Sequence, residues 1–296
     1  MTQMASVQEE LLPTEEDVRF YREHGWYRSR KILTDDEIDA AFEETERFYA
    51  GHRDGEPPVE LKEFLDWKPE YGYDRLRMND YIAFQDNLLR DLCLKPIIGA
   101  VAARLAGTRQ IRLFNTSMAY KPPQLDTAQA KVGWHNDRAY WQTCTSDEML
   151  TAWIPLHDCD ETMGPLTMID GSNRWADDPQ TASLRRGKTF ITDDFEALEA
   201  KIRATGLPIE LVPVTLRKGE VSYHHCLTFH GSGVNRSNTA RRNLIVHLQD
   251  EANEYRYATT EDGDPIVYNN DYIVRRLADG RPDYSDPDVC PVIWEE

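Results

Sequence analysis

The apolar positions of this chain change their period part-way along it. Over residues 35–50 they fall at Ile38, Ala41, Phe42 and Phe48, the single stripe of an amphipathic helix. Thr34 followed by Glu37 is the capping box that starts such a helix, and Gly51 supplies its stop. A second helix is predicted from Pro96, a favoured first position, to Gly107, burying Ile97, Ile98, Val101 and Leu105. From Arg109 onward β-branched and aromatic residues dominate, and strands are expected over 110–121, 131–137, 149–157, 164–169, 210–215, 219–229 and 242–249. A further helix is expected over 193–204, inside an insertion spanning about 173–210. Helices first and strands after predict a mainly β protein with flanking α-helices, packed outside an antiparallel two-sheet barrel. The double-stranded β-helix, or jelly roll, fits this order. The expected organisation is one domain over 1–296, with a mostly helical part (14–107), the jelly-roll core (108–250) and a C-terminal extension (251–296).

Composition narrows the partners. A length of 296 residues with 40% hydrophobic content supports a substantial core. The formal net charge of −18 repels nucleic acid and anionic lipid, so neither is expected as a partner. Nothing requires an obligate protein partner. No stretch approaches the ~18 consecutive apolar residues of a membrane span, and the polar, acidic residues 1–13 lack the apolar core of a secretory signal. The five cysteines are widely spaced, odd in number and form no Cys-x-x-Cys, which excludes a zinc finger and a disulfide framework. Free thiols in a cytoplasmic protein are expected.

Two segments 95 residues apart carry the chemistry: Trp134-His135-Asn136-Asp137 and Phe229-His230-Gly231-Ser232-Gly233. On a strand, His135 and Asp137 point to one face and Asn136 to the other. Two imidazoles and one carboxylate, with His230 as the distant third, make the facial triad of a non-haem Fe(II) site, which leaves positions open for cosubstrate and O2. The competing reading of His135 and Asp137 is a buried hydrogen-bonded pair or a strand-end ion pair. His52-Arg53-Asp54 matches the same short pattern, but it lies in a polar stretch with no strand signal and reads as a loop.

Residues 219–230 read as one strand ending at Gly231, after which Arg241 and Arg242 open the next. Neighbours on a strand face opposite ways, so one of the two arginines points inward. A fixed guanidinium there suits the far carboxylate of a dicarboxylate cosubstrate. The alternative is a solvated edge. His224 shares the parity of His230, as a core residue or one beside the metal, and His247 shares the parity of Arg241. Trp134, Tyr140, Trp141 and Trp175 flank the expected mouth, to grip substrate or to fill the core. Arg138 meets either an anionic group or a surface acid.

These segments, in this order, resemble the phytanoyl-CoA dioxygenase-like family of 2-oxoglutarate oxygenases. The resemblance covers roughly residues 14–250: the run Glu16 to Trp26 with Ile32 to Ile38, Tyr120-Lys121-Pro122-Pro123 before Gly133-Trp134-His135-Asn136-Asp137, Ala152 to Leu156, Met163 to Leu166, and His230-Gly231-Ser232-Gly233 through Arg241. It implies Fe(II), 2-oxoglutarate and O2 as cofactor and cosubstrates, with His135, Asp137 and His230 as iron ligands. It implies Arg241, eleven positions after His230, as partner of the 2-oxoglutarate tail, assisted by Ser232, with Trp153 and Ser117 as further contacts. Arg77 sits where the family often has a basic residue. Two places depart from the family's pattern, Met163-Gly164 and Asp170-Gly171-Ser172-Asn173, and both shape a turn near the pocket. Related halogenases lack the carboxylate. This chain keeps Asp137, which favours oxygen insertion.

The expected function is therefore a dioxygenase that oxidises a small molecule, by default hydroxylating it, with release of succinate and CO2. A secondary metabolite, an amino-acid derivative, a sugar and an acyl thioester all remain open as substrate. Two other readings stand beside it: a cupin-like metalloenzyme that uses no 2-oxoglutarate, and a non-catalytic barrel that binds a ligand.

Overall fold

The computed structural model describes residues 7–58, 65–124, 130–177, 195–207, 209–260 and 262–296. Two capping boxes start the helical part. Helix α1 (Glu15–His24) begins at Thr14, whose hydroxyl accepts from the Asp17 amide while the Asp17 carboxylate accepts from the Thr14 amide. Gly25 ends it at φ 79°, a left-handed position that favours glycine. Strand β1 (Trp26–Arg28) follows, then α2 (Asp35–Tyr49) with the expected Thr34–Glu37 box. After β2 (Arg77–Asp80) come α3 (Ile82–Gln85), α4 (Asn87–Cys93) and α5 (Pro96–Ala106).

The strands then take over: β3 (Gln110–Lys121), β4 (Val132–His135), β5 (Leu150–Pro155) and β6 (Thr167–Ile169). Helix α6 (Phe195–Ala204) precedes β7 (Leu211–Pro213), β8 (Ser222–His225), β9 (His230–Ser232) and β10 (Arg241–Asp250). Helix α7 (Asn270–Ile273) and β11 (Val292–Glu295) complete the described elements. Among the described residues they form two antiparallel sheets. The larger runs β1-β8-β5-β10-β3-β11, with β2 also on β3, and the smaller runs β4-β9-β6-β7. This is the expected mainly β jelly roll with flanking helices.

Period-two alternation assigns the two faces of the large sheet. Leu244, Val246 and Leu248 on β10, with Leu150, Ala152 and Ile154 on β5, join α2, α4 and α5 in one hydrophobic core. The intervening residues turn the other way, towards the small sheet. Antiparallel register aligns them in rows: Asn115, His247, Thr151 and His224 form one, Ser117, Ile245, Trp153 and Ser222 the next. Ala119 with Asn243, and Lys121 with Arg241, complete the series.

Two strand expectations are corrected. The segment 131–137 is strand only to His135, and Asp137 opens a 3-10 turn to Ala139. Asn136 caps that turn, its Oδ1 accepting from the Ala139 amide at 3.0 Å. The segment 219–229 is not one strand that ends at His230. β8 stays in the large sheet, while His230 starts β9 in the small one. Between them the Thr228 amide turns back onto the His225 carbonyl, and the Phe229 amide is taken by Ser172 Oγ at 2.8 Å. Gly231 is required where β9 lies against β4, since a Cβ there would stand 2.9 Å from the Val132 carbonyl. Of the insertion expected at 173–210, residues 178–194 lie outside the described residues; α6 falls in its second half.

Candidate active site

His135 at the end of β4, Asp137 in the turn after it and His230 at the start of β9 converge. Their ligand atoms all lie within 4.8 Å of one another, and all three residues are buried. Asp137 Oδ1 stands 3.8 Å from His135 Nε2 and 3.7 Å from His230 Nε2. The Nδ1 atoms face away from this group. His135 Nδ1 lies 2.8 Å from the Gly133 carbonyl and His230 Nδ1 3.0 Å from the Thr228 carbonyl. A carbonyl only accepts, so both Nδ1 atoms carry the hydrogen and both Nε2 lone pairs are left for a metal. The other carboxylate oxygen of Asp137 accepts from Thr151 Oγ1 at 2.6 Å. With its hydroxyl hydrogen used, Thr151 accepts in turn from His247 Nδ1 at 2.8 Å.

The protonation states suit metal binding. Burial holds His135 below its usual range and His230 well below, so both rings are neutral, the form that can bind a metal. Burial alone would raise the Asp137 carboxyl, but His230, His224 and His247 outweigh it and hold the group well below the usual carboxylate range. Two neutral imidazoles and one hard carboxylate, set on one side of a cavity, fit ferrous iron.

The cavity, about 500 Å³ in volume, lies between the sheets and reaches from this triad to Arg241. Of the two arginines opening β10, Arg241 points inward and is 2% exposed. Its Nη1 donates to the Gly164 carbonyl and, at 3.4 Å, to Ser232 Oγ, and its guanidinium stands 5.2 Å from the Trp153 ring centroid. Burial lowers it to about 10, it has no carboxylate partner among the described residues, and its Nε is buried without a hydrogen-bond partner. Arg242 points outward but is not a solvated edge: it reaches Thr45 Oγ1 at 3.1 Å and the Glu46 carboxylate.

The cavity is also lined by Ser117, Trp153, Ser232 and Tyr140. Ser117 is committed to Asp80, donating to its Oδ1 at 2.7 Å. Three residues expected at the substrate pocket are placed elsewhere. Arg138 turns away from the triad and holds the following loop, with Nε 2.7 Å from Asp147 Oδ1 and Nη2 2.8 Å from the Cys144 carbonyl. Trp134 packs with Ile169, Ile202 and Phe229, and Trp175 packs on that same cluster. Trp141, in contrast, is in the lining.

Four further inward residues belong to the site or brace it. Thr151, Asn243 and Lys121 share the inward parity of their strands, a signal that was available. Asn243 has both amide atoms buried without a hydrogen-bond partner, one inward row from Arg241. Lys121 donates to Ser232 Oγ at 2.5 Å and to the carbonyls of Ser232 and Gly233; burial, then Arg241, hold its amine well below its usual range. Asp80 enters through β2, a strand that no sequence pattern announced. Arg77, on the same strand, is enclosed by aromatic rings, its guanidinium 4.0 Å from the Tyr120 centroid and 4.8 Å from that of Trp67.

The chain is similar to known proteins over most of its length. The family model described as Phytanoyl-CoA dioxygenase (PhyH) matches residues 21–243. The peroxisomal phytanoyl-CoA dioxygenase of Bos taurus is 24% identical over 243 residues, which is 79% of this chain and 68% of that protein. A probable alpha-ketoglutarate-dependent hypophosphite dioxygenase of Stutzerimonas stutzeri is 32% identical over 138 residues, 46% of this chain and 44% of that protein. Among solved structures, the epimerase SnoN in complex with Fe3+, alpha ketoglutarate and nogalamycin RO superposes with a TM-score of 0.65 at 23% identity, over 94% of this chain and 98% of that one. No helix of the described residues is long and apolar enough to cross a membrane.

Proposed function

The chain belongs to the phytanoyl-CoA dioxygenase family and is an Fe(II)- and 2-oxoglutarate-dependent dioxygenase, and from that premise we propose that His135, Asp137 and His230 hold its iron and Arg241 its cosubstrate. The observation that carries the assignment is the pattern of committed and uncommitted atoms in one cavity. At the triad, each imidazole has its Nδ1 on a carbonyl and Asp137 Oδ2 has Thr151, so the atoms left over are a ligand set. Further along the cavity, Arg241 Nε and both amide atoms of Asn243 are left over, and these are donors and an acceptor for a polar ligand. A dicarboxylate that reaches the metal at one end and Arg241 at the other fits both sets.

When bound, iron with 2-oxoglutarate and O2 supplies oxidation of an unactivated C–H bond, with release of succinate and CO2. The protein's part is to bind, orient and shield. Arg241, though lowered to about 10, keeps its charge near neutral pH, and Trp153 packs beneath it. Ser232 and Lys121 brace the guanidinium side of the cavity. The Thr151–His247 pair fixes which oxygen of Asp137 faces the metal. Asp137 fills the position that a halide would need, so we assign oxygenation, with hydroxylation of a small molecule as its outcome. Tyr140 and Trp141 line the substrate side. The orphaned donors beside Arg241 argue against a metalloenzyme that uses no dicarboxylate.

The test is an anaerobic titration with Fe(II), then 2-oxoglutarate, read by the weak visible charge-transfer band of the chelate. The band should need both additions and vanish in His230→Ala. Iron that binds without any band on adding 2-oxoglutarate would sink this reading.

A further inference from the structure

Besides Arg241, one further charged group of the cavity has no ion-pair partner among the described residues. Asp80, at the end of β2, lines the same cavity as the triad. Its Oδ1 accepts from Ser117 Oγ at 2.7 Å and its Oδ2 from the Leu65 amide at 3.1 Å. Both donors are neutral, and they fix the carboxylate without balancing it. No lysine, arginine or histidine forms an ion pair with Asp80 among the described residues. Burial pushes its carboxyl up to about 6, with Asp66 adding to the rise, whereas a cation in contact would hold it down.

The surroundings fit a cation. Arg241 is the one lysine or arginine among the described residues lining the cavity. Register places Arg241 four residues along β10 from Ile245, the partner of Ser117, so Asp80 lies roughly 13 Å down the strand direction from the cosubstrate's anchor. It stands one inward row and two strands from His247, which reaches Asp137 through Thr151, on the order of 12 Å. That is about one small molecule's width from the triad residues. The rings of Tyr81, Tyr140, Trp141 and Tyr268 line the same cavity, and aromatic faces attract a cation. Tyr81, the next residue, is held at φ 57°, a left-handed position that costs a non-glycine residue energy and is found at sites over-determined by their surroundings.

We propose that this cavity takes a substrate bearing a basic nitrogen, and that Asp80 is the counter-ion of its ammonium group. The inference rests on the site reading above and adds the substrate class to it. Hydroxylated substrates without a nitrogen would leave the carboxylate buried against neutral groups. Anionic substrates would meet it with like charge.

The test uses a panel of matched triplets, each a small cyclic skeleton carrying an aminomethyl, a hydroxymethyl or a carboxylate group. Binding to the anaerobic protein loaded with Fe(II) and 2-oxoglutarate is followed by quenching of tryptophan fluorescence, since Trp141 and Trp153 line the cavity. The ammonium members should include the binders and bind at least tenfold more tightly than their hydroxymethyl mates. In Asp80→Asn, which keeps an acceptor for Ser117, that preference should disappear. Equal or tighter binding of the neutral or anionic members, or no binding by any ammonium member, overturns the proposal, as does a preference that survives in Asp80→Asn. The charge-transfer band, recorded before any panel member is added, reports separately whether the iron and cosubstrate assignment has failed.

Discussion

The two walls of the cavity are built on opposite rules. Within the triad itself, the atoms turned away from the shared centre are already engaged: the His135 and His230 Nδ1 donors sit on nearby backbone carbonyls, and Asp137 Oδ2 holds Thr151. On the Arg241 side, a guanidinium Nε and a whole side-chain amide are buried with no partner. A buried polar group left unmade costs roughly 1–3 kcal/mol. The triad is therefore organised before any ligand arrives, while the other wall is complete only with its ligand. Under the proposed assignment this contrast predicts an order of assembly, in which iron binds without the cosubstrate and the cosubstrate then stabilises the loaded protein.

The largest test of that difference is Arg241→Met. Hydrogen bonds to a charged group are worth about 1.5–3 kcal/mol, so 2-oxoglutarate affinity should fall by roughly 10- to 100-fold. Fe(II) affinity measured without cosubstrate should stay within about twofold, because no triad atom is bonded to Arg241. Anaerobic calorimetry reads both. A parallel loss of iron binding would show that the walls are one unit. A smaller effect is expected from Thr151→Val, which keeps the side chain's shape and removes the hydroxyl on Asp137. Groups that orient metal ligands are worth about 10- to 100-fold in affinity, and the lower end applies here because Val fills the space. Iron binding should weaken by about tenfold, with 2-oxoglutarate affinity at saturating iron unchanged.

Much of this was legible in the chain. The Thr34–Glu37 box, the Pro96 start and the Gly107 stop place α2 and α5 because they are local signals. The parity of β10 requires that one of Arg241 and Arg242 face inward, and the family resemblance singles out Arg241; the structure has Arg241 in the cavity and Arg242 on the helices. Parity fails where burial is uniform. Both sides of the segment 219–229 are covered, so nothing in its pattern marks the crossing from the large sheet to the small one. Asp137 joins His135 through a capped turn rather than through strand alternation, and a two-residue offset cannot tell the two apart. The role of Arg138 depends on where Asp147 and the Cys144 carbonyl fall in three dimensions. Asp80 reaches the cavity by a four-residue strand, too short for its pattern to announce it.

The finest test falls on Asn243, where the two effects should have opposite signs. Its Oδ1 and Nδ2 are buried without partners, yet it sits on β10 between Arg241 and Ile245, facing the cavity. Leucine has the same branching and number of side-chain heavy atoms, a larger volume that the adjoining cavity can take, and no polar atoms. Asn243→Leu should therefore stabilise the ligand-free protein, by about 1 kcal/mol, because an unsatisfied amide is removed. The same change should weaken 2-oxoglutarate by about fivefold, since one neutral hydrogen bond is worth about 1 kcal/mol. Chemical denaturation with and without cosubstrate reads both quantities on one sample. A destabilised ligand-free protein with unchanged cosubstrate affinity would mean that the amide is satisfied within the fold, and the contrast between the two walls would then rest on Arg241 alone.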